Sequence, residues 1–321
     1  MKRAWVYPTV LGLLVIAIGT ANVLCAEREI STRDPLEESK PAVQDYFTII
    51  QLPDTQYYTH EYPGIFELQT SWIVSNAADL NLALVIHTGD IVDDREDIRQ
   101  WQVAWKSMHI LQSAKIPYIM TVGNHDTGRV SDLTNFNTYF PLNASTQGKM
   151  KGGNYPEGSA ANRYVLLEEM DTKFLVLSLD SHPDTFKEVV AWANEVMETH
   201  PDWPVIVSVH AYIDHANEMV DVCNLRDNFV RKHANIIAVL CGHRGYSRHY
   251  IDEGFNGNLM HTLLFAPQMC PNGGDGWLRY YKIYPATNAV EAYTYSPHLK
   301  RFDNDGDDRL DFPLILPPQE K

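Results

Sequence analysis

The chain has 321 residues, 45% hydrophobic, 21% charged and 11% aromatic, which excludes a disordered tail protein, a collagen-like chain and a polytopic membrane protein. Lys plus Arg number 26 against 41 Asp plus Glu, a formal charge of −15 and the wrong sign for gripping a nucleic-acid duplex. An acidic chain that handles phosphate esters needs a local source of positive charge, and bound metal supplies one.

Residues 1–26 read as an export signal: Lys2 and Arg3, an apolar core from Val10 to Leu24, and Leu24-Cys25-Ala26 before the charged Glu27-Arg28-Glu29. The expected location is secreted or periplasmic, with an uncleaved membrane anchor as the alternative. The apolar run is short for a span, so no stable membrane span is expected in the mature chain. Residues 27–45, with Asp34-Pro35, Glu37, Glu38 and Pro41, form a polar linker.

From there to about residue 300 the pattern is that of one α/β domain with two packed sheets. Strands are expected at Phe47–Leu52, Leu82–His87, Tyr118–Val122, Phe174–Leu179, Val205–Val209 and Ile236–Leu240. They are short, rich in branched residues and mostly apolar on both faces, as in a sheet covered by other layers. Helices are expected at Ile65–Asn81, Ile98–Ser113, Asp184–Thr199, with Asp184 as its cap, and Ala216–His233. Leu259–Phe265, Trp277–Tyr284 and Val290–Tyr295 follow with Gly-rich turns and read as antiparallel strands. Residues 301–321 read as an acidic C-terminal tail. Within it Asp303-Asn304-Asp305-Gly306-Asp307-Asp308 resembles a calcium loop, but its glycine stands fourth rather than sixth, so a solvated acidic turn is the better reading. Cys25 would leave with the signal. The remaining Cys223, Cys241 and Cys270 allow one disulfide and a free thiol, with the pair left open. Asn143-Ala144-Ser145 is a glycosylation sequon.

The chemistry sits where strands end. Leu52 leads to Pro53-Asp54-Thr55-Gln56, His87 to Thr88-Gly89-Asp90, and Val122 to Gly123-Asn124-His125-Asp126. Val209 leads to His210, and Leu240 to Cys241-Gly242-His243. Loops at the carboxyl ends of α/β strands converge on one site, so five strands would each deliver a ligand-type residue to one edge. Taken singly, a Gly-Asp pair is commonly a turn and Asp54-Thr-Gln a helix cap; the joint order carries the reading.

That order resembles the calcineurin-like metallophosphoesterase superfamily, whose blocks are Asp-x-His, Gly-Asp, Gly-Asn-His-Asp/Glu, a lone His, and Gly-His-x-His. It is similar in particular to an exported branch with Asp-Thr-Gln-Tyr-Tyr at its first block. The resemblance implies a four-layer αββα sandwich of two mixed sheets over residues 46–300, with two divalent metal ions (Mn, Fe, Zn or Mg) between them. Asp90 would bridge the metals, Asn124, His210 and His243 would complete the second site, and Asp54 would hold the first. His125 would be the acid beside the leaving group, oriented by Asp93. Two positions depart from the pattern: Gln56 replaces the first-block histidine, and Gly245 stands where the last one belongs. The first site is left with Asp54, the Gln56 amide oxygen and Asp90. That oxygen-rich shell implies weak binding of a harder ion, and His249 is a mis-spaced substitute.

The expected function is metal-dependent hydrolysis of a phosphate ester, mono- or diester, by a metal-activated hydroxide. Substrates would be small-molecule, lipid or nucleotide esters. Arg244 and Arg279 are candidates for a phosphate clamp, and Tyr57 and Tyr58 for pocket walls. The rival reading is a non-catalytic metal- or ligand-binding descendant of the same fold. An α/β hydrolase is excluded because the chain has no Gly-x-Ser-x-Gly.

Overall fold

The computed structural model describes residues 45–142, 150–214, 216, 218–220 and 223–314. The expected export signal, the linker before Asp45, the sequon and the last seven residues lie outside these. Among the described residues no helix is long and apolar enough to cross a membrane.

The strands in chain order are β1 (Phe47–Leu52), β2 (Leu82–His87), β3 (Tyr118–Met120), β4 (Lys151–Tyr155), β5 (Asn162–Glu169), β6 (Thr172–Leu179) and β7 (Val205–Val209). They continue with β8 (Ile236–Cys241), β9 (Ser247–Glu253), β10 (Leu259–Phe265), β11 (Leu278–Tyr284), β12 (Ala289–Ser296), β13 (Arg301–Asp303) and β14 (Arg309–Pro313). One seven-stranded sheet runs β13-β12-β11-β1-β2-β3, with β14 also on β12; the other runs β4-β5-β6-β7-β8-β10-β9. Both are mixed: β1, β2 and β3 are parallel, as are β6, β7, β8 and β10, with antiparallel strands outside them.

The period of two along each strand builds the layers. Phe47 and Ile49 of β1 face the other sheet and meet Phe174, Val176, Ile206 and Leu240 in the central core. Ile50 and Leu52 turn outward under the helices Pro63–Asn76 and Ile98–Ser113, with Phe66, Trp101 and Met108. On the other outer face Leu175, Leu177 and Val207 pack against Val189, Ala193 and Met197 of the helix Phe186–Thr199. Three apolar layers between four layers of secondary structure make the expected αββα sandwich. Each fully buried large side chain contributes roughly 1.5–3 kcal/mol, so these cores dominate over surface pairs worth about 1 kcal/mol or less.

Several local expectations fail for identifiable reasons. Among the described residues, the helix expected over Ala216–His233 is reduced to Leu225–Asn228 and a 3-10 turn, Val230–Lys232. Asn224 takes a left-handed φ of 51° and interrupts the backbone there. Asp184 does not cap its helix, which starts at Phe186 after Thr185. The acidic tail is not a tail up to residue 314, because β13 and β14 add to the first sheet. Its acids are used inward: Arg279 is fully buried and its Nη2 donates to Asp308 Oδ1 at 2.9 Å, Ser247 Oγ at 2.6 Å and the Asp307 carbonyl at 2.8 Å. A buried guanidinium requires a carboxylate partner, and this turn supplies one. Arg279 is therefore a structural residue and not a phosphate clamp. Cys223 and Cys241 are free thiols and Cys270 is disulfide-bonded, so no pair forms among these three.

Candidate metal centre

The parallel strands end flush. Leu52 lies opposite His87 and His87 opposite Met120 in one sheet; Leu179 lies opposite Val209 and Ser208 opposite Leu240 in the other. At that end Thr121 Oγ1 lies 2.9 Å from Ser178 Oγ and 2.6 Å from Ser208 Oγ, joining the sheets. Gln51 does the same: its Nε2 donates to the Cys241 carbonyl at 3.1 Å while Oε1 accepts from Tyr281. Loops from both sheets consequently share one rim.

There Asp90, His210 and His243 each offer a ligand atom, all within 4.8 Å of one another. His210 Nδ1 donates to the Thr88 carbonyl at 3.0 Å, which leaves Nε2 facing Asp90 Oδ2 at 3.1 Å, Asn124 Oδ1 at 3.2 Å and His243 Nδ1 at 3.2 Å. Lone pairs from four side chains thus point at one another, an arrangement that needs a cation or a proton between them. Burial works against the His210 imidazolium, yet Asp90 and Asp54 push it up to about 10. Burial and then the His210 charge bring His243 down to about 4.

Asp54 is buried and its carboxylate accepts the His243 N–H at 3.0 Å. Burial pushes its carboxyl well above the usual carboxylate range, and Asp90 adds to that against the pull of His210. For Asp90 burial is again opposed, and His210 and then His125 hold it below its ordinary value. Its Oδ1 accepts the His125 N–H at 2.9 Å. Gln56 donates through Nε2 to Asp93 Oδ1 at 3.3 Å, while its Oε1 is buried with no hydrogen-bond partner. A buried carbonyl oxygen without a donor costs roughly 1–3 kcal/mol, and an ion at the first site would satisfy it.

Three glycines let these groups approach. A Cβ at Gly123 would strike Asp90, one at Gly242 would strike Asp54, and one at Gly89 would come within 2.8 Å of His210 Nδ1. Buried carboxylates held by imidazole and backbone N–H groups, an unsatisfied amide oxygen and a cradle closed to side chains together fit divalent ions. Asp90, His210, His243 and Asn124 would hold one and Asp54, Gln56 and Asp90 the other. Replacing Gln56 by His should shift retained metal toward Zn or Fe, measured by elemental analysis after dialysis against mixed metals. An unchanged metal profile would show that Gln56 does not face the ion.

His125 lies at the same rim, 37% exposed. Its Nδ1 is 2.7 Å from the Asp93 carbonyl oxygen and 3.4 Å from the Asp93 carboxylate. Asp93 therefore positions the ring chiefly through its backbone, a contact that side-chain identity does not encode, and Nε2 is left for a ligand. Tyr58 is buried and its hydroxyl accepts from Gly276 N–H, so it packs rather than lines a pocket. Burial and then Asp93, Asp90 and Asp54 raise the Tyr57 phenol, which lies among the acids of the site. Arg244 is exposed beside His243. His249 is 2.9 Å from His261 on the neighbouring strand β10, which is the observed use of that ring.

Positioning residues absent from the sequence expectations complete the site. Asp126 Oδ1 accepts from Ile91 N–H at 2.8 Å and Val92 N–H at 3.1 Å, and Oδ2 from Gly123 N–H at 2.8 Å, tying the Asp90 and Asn124 loops together. Gln100, in the first turn of Ile98–Ser113, accepts from Asp93 and Asp94 N–H at 2.7 and 3.0 Å. His182 follows β6 in Asp180-Ser181-His182, and its ring lies outside the Asp90–His210–His243 cluster.

Residues 47–245 match the calcineurin-like phosphoesterase family, and the chain belongs to it. Members bind divalent metals, in agreement with the Asp90–His210–His243 cluster. The chain is 32% identical over 317 residues to the uncharacterized protein YvnB of Bacillus subtilis (strain 168), covering 94% of this chain and 24% of that protein. It is 25% identical over 183 residues to a probable cyclic nucleotide phosphodiesterase of Moraxella catarrhalis (strain BBH18), covering 53% of this chain and 61% of that one. The chain thus spans less than two thirds of the length of either curated relative. Purple acid phosphatase PPD1 from yellow lupin (Lupinus luteus) superimposes with a TM-score of 0.52 at 11% identity, over 85% of this chain and 55% of that one, a likeness of fold.

Proposed function

We propose that the chain hydrolyses a phosphate ester with two divalent ions bound at this rim, the first site weaker and harder than the second, and His125 as general acid. We also place this activity outside the cytoplasm, on the apolar start of the chain and the Asp54-Thr-Gln first block. The reading rests on one observation above all: Asp90, His210 and His243 converge within 4.8 Å, with His125 hydrogen-bonded to Asp90 through its backbone N–H. Divalent ions bound there supply Lewis acidity toward phosphoryl oxygens and a lowered pKa for water.

The chain's own groups do the rest. Asp90, Asp54 and the two imidazoles would hold the ions from both sheets, so the phosphoryl group would meet a rigid rim. The Asp93 carbonyl accepts the Nδ1–H of His125 and sets its tilt, so that the imidazolium form presents Nε2–H to the departing oxygen; such an acid contributes on the order of 10²–10⁴-fold. Arg244, exposed beside His243, adds charge for an anionic substrate.

The test is release of nitrophenol from mono- and bis-nitrophenyl phosphate by protein stripped of metal and then resupplied with Mn²⁺. Turnover that vanishes with the metal and returns with it is the expected result. A protein that retains one ion yet cleaves neither ester under any metal is a binding module, the alternative that the losses at Gln56 and Gly245 favour.

A further inference from the structure

Asn124, His210 and His243 also close one end of a cleft of about 210 Å³ that His125 does not line. Its far wall is Asp180 and His182 from the loop after β6, with Val220 beside them. That wall is rigid: Asn162 Oδ1 accepts the Asp180 N–H at 2.7 Å, and the Asp180 carboxylate accepts the His182 N–H at 2.9 Å. The Asp184 N–H donates to His182 Nδ1 at 3.2 Å, so the proton of the neutral ring sits on Nε2. Among the described residues no group accepts from that Nε2, although the side chain is only 11% exposed.

A phosphate monoester has a single organic substituent, and hydrolysis directs it toward His125. Nothing in a monoester would then enter the cleft. A diester carries a second substituent, retained on phosphorus, which must leave the cluster in another direction. At about 210 Å³ the space falls below the roughly 300 Å³ at which whole small-molecule pockets begin, so it suits one substituent rather than an entire substrate.

The geometry points to this cleft as the subsite for the retained alcohol of a phosphodiester, a polar group of sugar or nucleobase size that accepts a hydrogen bond from His182 Nε2. This assignment rests on the phosphoesterase reading and narrows it. In the step, water forms the new P–O bond, the P–O bond to the leaving alcohol breaks, and that alcohol takes its proton from His125, which is recharged by the proton water gives up. The bond to the group in the cleft stays intact, and nothing is oxidised or reduced.

Three esters with one leaving group separate the possibilities: thymidine 5′-(para-nitrophenyl) phosphate, methyl para-nitrophenyl phosphate and para-nitrophenyl phosphate, each with Mn²⁺. His182→Ala should raise KM for the thymidine ester by about five- to tenfold, the value of one neutral hydrogen bond, with kcat unchanged. The methyl ester and the monoester should stay within about twofold. Ser181→Trp, which fills the cleft mouth, should abolish the preference for the thymidine ester and spare the other two. Equal effects of His182→Ala on all three esters, or none on any, would overturn the subsite, as would a wild type that cleaves the monoester alone. A wild type that cleaves no ester would overturn the hydrolase reading and this one with it.

Discussion

Replacing Asp90 by Asn should strip the second metal site and end turnover together. The substitution preserves shape: an amide oxygen can still accept the His125 N–H, now made at 2.9 Å. What changes is the other end. Asp90 Oδ2 faces His210 Nε2 at 3.1 Å, and an amide there brings a donor, or a neutral oxygen, to a point where imidazoles and Asn124 already supply lone pairs. The one carboxylate in the cluster is lost, and with it the charge that makes the pocket attractive to a divalent cation. Several kcal/mol of binding disappear, equivalent to a rate loss on the order of 10³-fold or more. Elemental analysis after dialysis, run beside nitrophenol release, checks both halves. Metal content equal to that of the wild type would remove Asp90 from the centre.

His125→Ala should separate what the Asp90 variant loses together. No ligand atom of the Asp90–His210–His243 cluster belongs to His125, and its backbone N–H to Asp90 survives the substitution. Metal content should be unchanged while kcat falls on the order of 10²–10⁴-fold. The size of the fall should follow the leaving group. Nitrophenolate departs without a proton, so its ester should lose least, and an alkyl ester should lose most. A uniform loss across leaving groups would mean that His125 binds substrate without donating a proton.

The sequence exposed the site better than the periphery, and the reason is burial. β1, β2, β7 and β10 are covered on both faces and read as mostly apolar runs, so their ends could be placed to the residue. Edge strands lack that signature. β4 is Lys-Gly-Gly-Asn-Tyr, and β9 carries Ser247, Arg248, Asp252 and Glu253; neither shows periodic apolarity, because solvent covers one side. The chain over β13 and β14 looked like a solvated tail because Asp308, in the turn between them, pairs with Arg279, a partner distant in sequence. Within the site, side-chain chemistry was legible and backbone chemistry was not. Asp93 is oriented toward His125, but by its carbonyl. Asp126 stood in plain view beside His125, yet its work as a clamp on three N–H groups depends on loop geometry that exists only once the strands are aligned.

Gly245 occupies the position of the second missing imidazole with a φ of 106°. Residues with a Cβ rarely adopt that backbone, so a histidine there would require the turn after β8 to be rebuilt. Gln56, by contrast, sits in the short helix Gln56–His60, where a histidine is sterically ordinary. Reversion toward an imidazole-rich centre is therefore one substitution away on one side and blocked by the main chain on the other.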